Sequence, residues 1–487
     1  MSTFAADVMA APTRDDAATS AAWTWWIIKD RIARFLPRNE VACSLRGVDK
    51  ATAAMLRSPE FTTMRLSEPV PHHAFAWRWG RPGATRELTL AQRRELLCLT
   101  AASGATENLA LVKRVAGCRL TAKVCYAAGK AGQLEFCALL AQLGFDMGCA
   151  VEGAAAVGHL ALCEELMSWA GVQYSPLTCA VAAAEAGHTH IVEWMVRRCE
   201  EFGQLEPSSD EAWDLVRAIA KHCDLAALQR FLVQLAGPDV VEAVGGDWGQ
   251  AIYVMAAAAG SPTPDWRAKV EWLESLDFPQ TWHAFTAAAK RPDALERFAW
   301  LAQREYPQPG EGGHEDLVAA ATVGNEAAVL FLAEGRPDGA DFTEVWCAAA
   351  EKRHLPVLQK MHAAGRRGHV RDTANAAARN GHLHVLTWLV ETPDLGVVLH
   401  EDLFEAAAAS GSVGLLAWLR ERGCPWDVWA FTAAAAHGCG AALEWMAERG
   451  CPMPDDGYPF TLAAAGGDMA TEKLLRQLGC PPGPPGA

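Results

Sequence analysis

The sequence predicts an all-α chain: a solenoid of about a dozen stacked helical hairpins behind a small N-terminal helical module. Three observations predict it. The run A-A-A-R-N-G-H-L-H-V-L-T-W-L at 376–389 returns in variants from residue 101 to residue 475. Glycines that each close an Ala-rich stretch recur at a near-constant interval. Gly104, Gly132, Gly158 and Gly187 are spaced by 28, 26 and 29 residues, and Gly381, Gly411, Gly438 and Gly467 by 30, 27 and 29. Tryptophan holds one place beyond the glycine, at Trp169, Trp194, Trp272, Trp300, Trp388, Trp418 and Trp445. Self-similarity with a period near thirty residues marks a stack in which each unit leans on its neighbours.

Residues 1–22 are polar and Ala-rich and are expected to be disordered. In the next segment, 23–57, Ile28, Ile32 and Phe35 share one face of a short helix that Pro37 stops. Asn39 is placed to cap a second helix carrying Val41, Leu45 and Val48. One reading of this pair is a terminal cap, because a solenoid needs an end unit with a polar outer face. Residues 58–95 are rich in Pro and Arg, contain Trp77 and Trp79, and form a linker without an assigned structure. At under forty residues this segment is too short to build a catalytic domain.

The repeats occupy 96–479. Each first helix is an Ala run such as 404–409 or 431–436. Alanine has the highest helix propensity, and its methyl lets a second helix approach closely. Turn glycines such as Gly381 end the run, since glycine enters the left-handed region without a steric penalty. The second helix carries apolar residues at helical spacing, as in Leu383, Leu386 and Leu389. Gly423-Cys424-Pro425, Gly450-Cys451-Pro452 and Gly479-Cys480-Pro481 then terminate it. The middle is degenerate: the anchor falls near His222, Gly260, Arg291 and Arg353. The recurring tryptophans lie in phase with the apolar stripe, so they are expected to form a core ladder; burying one ring removes roughly 150–250 Å² from water, about 4–6 kcal/mol gross. Stacked ~10 Å apart, a dozen units would form an elongated curved body. Residues 480–487 are a Pro/Gly-rich tail.

The pattern A-A-x-x-G-H-L-x-V-L-x-W-L-x-x-x-G-C-P-W-D resembles the ankyrin repeat. The likeness covers about 380 residues. It implies two antiparallel helices per unit, a projecting loop, and a role as a protein–protein interaction scaffold. The chain departs from the family in two ways. Trp429-Ala430-Phe431-Thr432 stands where the family has T-P-L-H, and the units are shorter than usual, which implies a trimmed loop finger. The N-terminal stretch I-x-x-F-L-P followed by L-R-x-V-x-K resembles the F-box. That likeness implies docking through Ile28, Ile32, Phe35, Leu36, Pro37, Leu45 and Val48 onto a Skp1-like adaptor of a cullin ubiquitin ligase, with the repeats as substrate receptor.

Composition narrows the function. With 43 basic and 58 acidic residues the formal charge is −15, and no basic face is apparent, so a nucleic-acid partner is not expected. No run of about eighteen strongly apolar residues exists, so no membrane span is expected. Fifteen cysteines, an odd number spread along the chain, do not suggest a disulfide framework. They fit a reducing compartment, cytoplasmic or nuclear, with Cys424, Cys451 and Cys480 serving as small apolar packing residues.

No phosphate-loop, zinc-protease or nucleophile-elbow motif is present, and no enzyme activity or cofactor is expected. The Gly-His pairs at Gly158-His159, Gly187-His188 and Gly381-His382 supply one histidine per unit. Units ~10 Å apart cannot bring such histidines within ~2.1 Å of one ion, and in ankyrin repeats this histidine makes structural hydrogen bonds. Candidate partner-binding residues are the non-periodic loop groups Trp426, Asp427 and Trp429, and then Asp455, Asp456 and Tyr458. Aromatics beside acids suit a partner with basic and apolar features; packing of Trp426 and Trp429 on neighbouring loops is the alternative.

Overall fold

The computed structural model describes residues 31–482 apart from 204–205, 207–208, 237–247, 309–313 and 338. The disorder expected for 1–22, the position of Ile28 and most of the tail lie outside the described residues. The described chain is all-helical. Thirteen hairpins run from Leu90–Ala102 to Met469–Gln477. The first of them begins at Leu90, ahead of the expected boundary at 96.

Short helices precede the hairpins. Ala33, Val41 and Leu56 make a small core of their own, with Leu36, Leu45, Met55 and Phe61 against it. Asn39 does not cap the helix Arg38–Cys43; Pro37 stands at that place. Asn39 is buried inside the helix instead, because its amide closes the loop opposite: Nδ2 donates to the carbonyls of Arg65, Glu68 and Pro69, and Oδ1 accepts the Arg65 N–H. The segment 58–95 carries the helices Pro59–Thr62 and His72–Trp79. Val70, Phe75 and Trp79 join the main core, so this stretch covers the open end of the stack.

First helices pack on first helices more closely than second helices pack on each other. Alanine explains the difference: Ala183 and Ala184, Ala377 and Ala378, and Ala407 and Ala408 are fully buried in this row. A tight inner row and a looser outer row bend the stack. The turn glycines take left-handed φ, from 62° at Gly467 to 78° at Gly187, and Arg353 takes 66° where the glycine is missing.

Residues just after the turns tie several hairpins to the one before. His382 Nε2 donates to the Glu351 carbonyl at 3.0 Å and His354 Nε2 to that of Thr322 at 3.2 Å. Gln133 and Cys439 reach the equivalent carbonyls of Ala102 and Ala409. In the G-C-P loops, the Cys424 and Cys451 thiols are buried and donate to the carbonyls of His400 and Asp427. Burial pushes their pKa values up, to about 11 and about 12, so both stay protonated and serve packing.

The tryptophan ladder differs from expectation. Trp169, Trp194, Trp272, Trp300, Trp388, Trp418 and Trp445 are half-buried, each packed against the core with an edge in solvent. In four of them an arginine one helical turn on covers the ring: Arg198, Arg304, Arg422 and Arg449 lie 5.5, 4.9, 4.0 and 4.5 Å from the ring centres. The second helices form the outer row, where solvent reaches the ring, and the stripe periodicity could not distinguish half from full burial. Among the described residues the two fully buried indoles, Trp213 and Trp346, stand in first helices instead.

The stack is not an open rod. The Leu90 N–H donates to the His437 carbonyl, Ala441 to Arg86, Arg119 to Gly467 and Ala470 to Gly117. The loop end of hairpin 1 therefore sits on the turn ends of hairpins 12 and 13. The chain forms a lock-washer coil of about twelve hairpins per turn. Twelve first helices ~8–10 Å apart, each with a half-width of ~5 Å, would leave a central opening roughly 21–28 Å across.

Candidate functional site: the inner face of the last hairpins

The inner face is built from first-helix positions that point away from both neighbours. Asp372, Asp402, Trp429 and Tyr458 each stand nine residues before the turn glycine of their hairpin, and all four are exposed. Trp429 and Tyr458 are therefore equivalent residues on adjacent helices, Val428–Ala436 and Tyr458–Ala465. Their exposures are 53% and 43%. Both lie in helices rather than loops: Asp427 caps the first of these helices, and Asp456 stands one residue before Gly457, the left-handed residue that opens the second. Asp427 Oδ1 accepts the Trp429 N–H at 3.0 Å, and Asp456 Oδ1 accepts the Tyr458 N–H at 2.9 Å. Asp341 does the same for Thr343 and Asp146 for Gly148. These two candidate acids thus hold the aromatic residues in place, while Asp455 lies exposed beside them.

Trp426 is not part of this surface. Its ring meets Phe404 edge-on at 5.4 Å and Trp445 at 6.2 Å, with the Arg420 guanidinium 4.1 Å above it. It is a wedge between hairpins.

The sequence signal missed one member, Glu405, six residues before Gly411 on the same inner face. Burial raises its carboxyl above the usual range, and the carboxylates of Asp427 and Asp402 raise it further, with Arg379 pulling the other way. Asp402 is itself paired with Arg371. The pattern "nine and six before the glycine" would have found this residue. An exposed aromatic face attracts cations, and the carboxylates of Asp402, Glu405 and Asp427 lie within electrostatic reach of one another on the same face. No group of three or more His, Cys, Asp or Glu side chains able to hold a metal is found among the described residues.

At the other end of the chain, Ile32, Phe35 and Val48 are exposed, Phe35 to 88%. Leu36 and Leu45 are half-buried against the small core, and the exposed Pro37 stands just before the following helix. Of the six predicted docking residues that are described, Ile32, Phe35, Pro37 and Val48 face solvent, and Leu36 and Leu45 build the module.

No protein-family model matches the chain. No curated protein matches it either. Among solved structures it is similar to the pentatricopeptide repeat protein PPR10 from maize, at 13% identity over 96% of this chain and 78% of that one, with a TM-score of 0.24. The class defined here is a helical-repeat solenoid. Among the described residues no helix is long and apolar enough to cross a membrane.

Proposed function

We propose that this protein is an ankyrin-like interaction scaffold that holds a basic protein segment against the inner face of its last hairpins. The carrying observation is the pair Trp429 and Tyr458, exposed at equivalent positions of adjacent first helices, on a face that also carries Glu405, Asp402 and Asp427. An exposed aromatic pair whose backbone is held by aspartates at the helix starts needs little ordering on binding, and aromatic anchors dominate interface energetics. A net charge of −15 favours a cationic partner over a nucleic acid. The scaffold performs no catalytic step in this reading and belongs in the cytoplasm or nucleus. The test is titration of full-length protein with a panel of Lys/Arg-rich peptides carrying aliphatic residues. Replacing Trp429 and Tyr458 by Ala should weaken binding at least ten-fold, while Phe202→Ala, an exposed aromatic outside this face, should not. Equal binding by all three proteins would remove the proposal.

A second reading is supported by the exposed apolar trio Ile32, Phe35 and Val48 on a separate small core. Such residues suit an F-box-type contact with a Skp1-like adaptor, which would make the protein a substrate receptor of a cullin ubiquitin ligase. A pull-down with a Skp1-like protein, lost on Ile32→Asp with Phe35→Asp, tests it; no binding at micromolar concentration would reject it.

A further inference from the structure

Where the first and last hairpins meet, the coil leaves a cavity of about 590 Å³. Its lining includes Arg86, Arg93, Lys113, Arg114 and Lys473 and no carboxylate. This is the reverse of the chain as a whole, whose formal charge is −15. Two of the five cations are engaged: Arg93 with Asp468, and Arg86 with Glu444 at 3.0 Å. Lys113 and Arg114 come from the second helix of hairpin 1, and Lys473 from the second helix of hairpin 13. None of these three has a carboxylate partner among the described residues. They converge on one recess from opposite ends of the chain, above a floor that includes Val115 and Leu474.

We infer that this seam cavity is a binding site for a small polyanion carrying several phosphate groups. Like charges held around a recess repel one another, and a multivalent anion removes that repulsion. Its volume falls in the range of small-molecule sites. Because the cations belong to hairpins 1 and 13, an anion bound between them bridges the seam. Binding then favours the closed coil over the open one by mass action.

The test uses the full chain and sodium tripolyphosphate as probe, at fixed ionic strength, with sulfate as the monomeric control. Saturable one-to-one binding by calorimetry and a rise in melting temperature that sulfate does not reproduce are expected. Lys113→Ser with Arg114→Ser, or Lys473→Ser alone, should weaken binding at least ten-fold. These side chains are exposed and repel one another in the empty recess, so the apo melting temperatures should not fall below the parent's. Lys123→Ser with Lys130→Ser, two exposed lysines that do not line the cavity, should bind as the parent does. Absence of saturable binding, equal weakening by the control pair, or equal competition by hexa-aspartate would overturn the site.

Discussion

Arg93 and Asp468, 375 residues apart in sequence, form a two-pronged ion pair at 2.8 and 2.5 Å in which the side chains are 3% and 1% exposed. Arg93 also donates to the carbonyls of Ala116 and Gly438, and Asp468 accepts from Thr471. The pair thus joins the first hairpin to the last two. Breaking one side of a buried pair leaves an uncompensated charge and costs about 3–5 kcal/mol. Arg93→Ala should open the coil, seen as a larger radius of gyration in solution scattering and a lower melting temperature. Arg93→Met with Asp468→Leu should recover much of the loss, because an apolar replacement of both partners strands no charge.

Acid should act on the same joint. Burial pushes the Asp468 carboxyl up, but the hydrogen bonds and charge of Arg93, with Thr471, outweigh it and leave the pKa below the ordinary 3.8. A depressed carboxyl contributes stability that is complete above the unfolded value and is lost as pH falls through the folded one. Closure should hold at pH 5 and weaken below about pH 3.8. Scattering across that range checks it, and Asp468→Asn should flatten this component of the pH dependence.

Two glycines separate seam packing from backbone strain. Gly438 (φ 66°) and Gly450 (φ 75°) both occupy the left-handed region, where alanine costs about 1 kcal/mol or more. A Cβ on Gly450 would meet open space, whereas one on Gly438 would strike Asp468, Arg93 Nη2 at 2.5 Å and Leu90 Cβ at 2.8 Å. Gly438→Ala should therefore lower the melting temperature more than Gly450→Ala, and only the former should expand the molecule.

Trp418→Ala should cost about 1–3 kcal/mol, below the 3–5 of a fully buried ring, because one edge of the indole already meets solvent under Arg422. Chemical denaturation reads the difference.

Phe35→Asp should leave stability within about 0.5 kcal/mol, as expected for an exposed position. Val41→Asp, at the fully buried centre of the same module, should disrupt it. Circular dichroism melts of the two variants test that contrast.

The hairpin repeat was legible because Ala runs, turn glycines and G-C-P stops each carry their own local physics, and those signals place the elements to within a few residues. The inner-face aromatics were legible as residues but not in place: Asp427 and Asp456 read as loop charges, yet Asp427 caps the helix that holds Trp429, and Asp456 accepts the N–H of Tyr458 at the start of the next. The degenerate middle was hidden for a different reason. There Lys269 is fully buried and donates to the Ala220 and Cys223 carbonyls and to the hydroxyls of Ser261 and Thr263, while Arg297 reaches Ala259. Long side chains from the following hairpin take over the linking done elsewhere by residues just after the turn, and a period cannot reveal a substitute that comes from another position. Ring closure was invisible for a simpler reason: Arg93 and Asp468 carry no local pattern that pairs them.

Synthesis sets a schedule on this joint. Arg93 leaves the ribosome 375 residues before its partner, roughly 20–75 s earlier at ~5–20 residues per second. Throughout that interval the nascent arc can grow hairpin by hairpin, but its leading guanidinium stays hydrated. The last unit to emerge converts a chain of nearest-neighbour contacts into a loop of mutual dependence, so the two termini of the array should fray together.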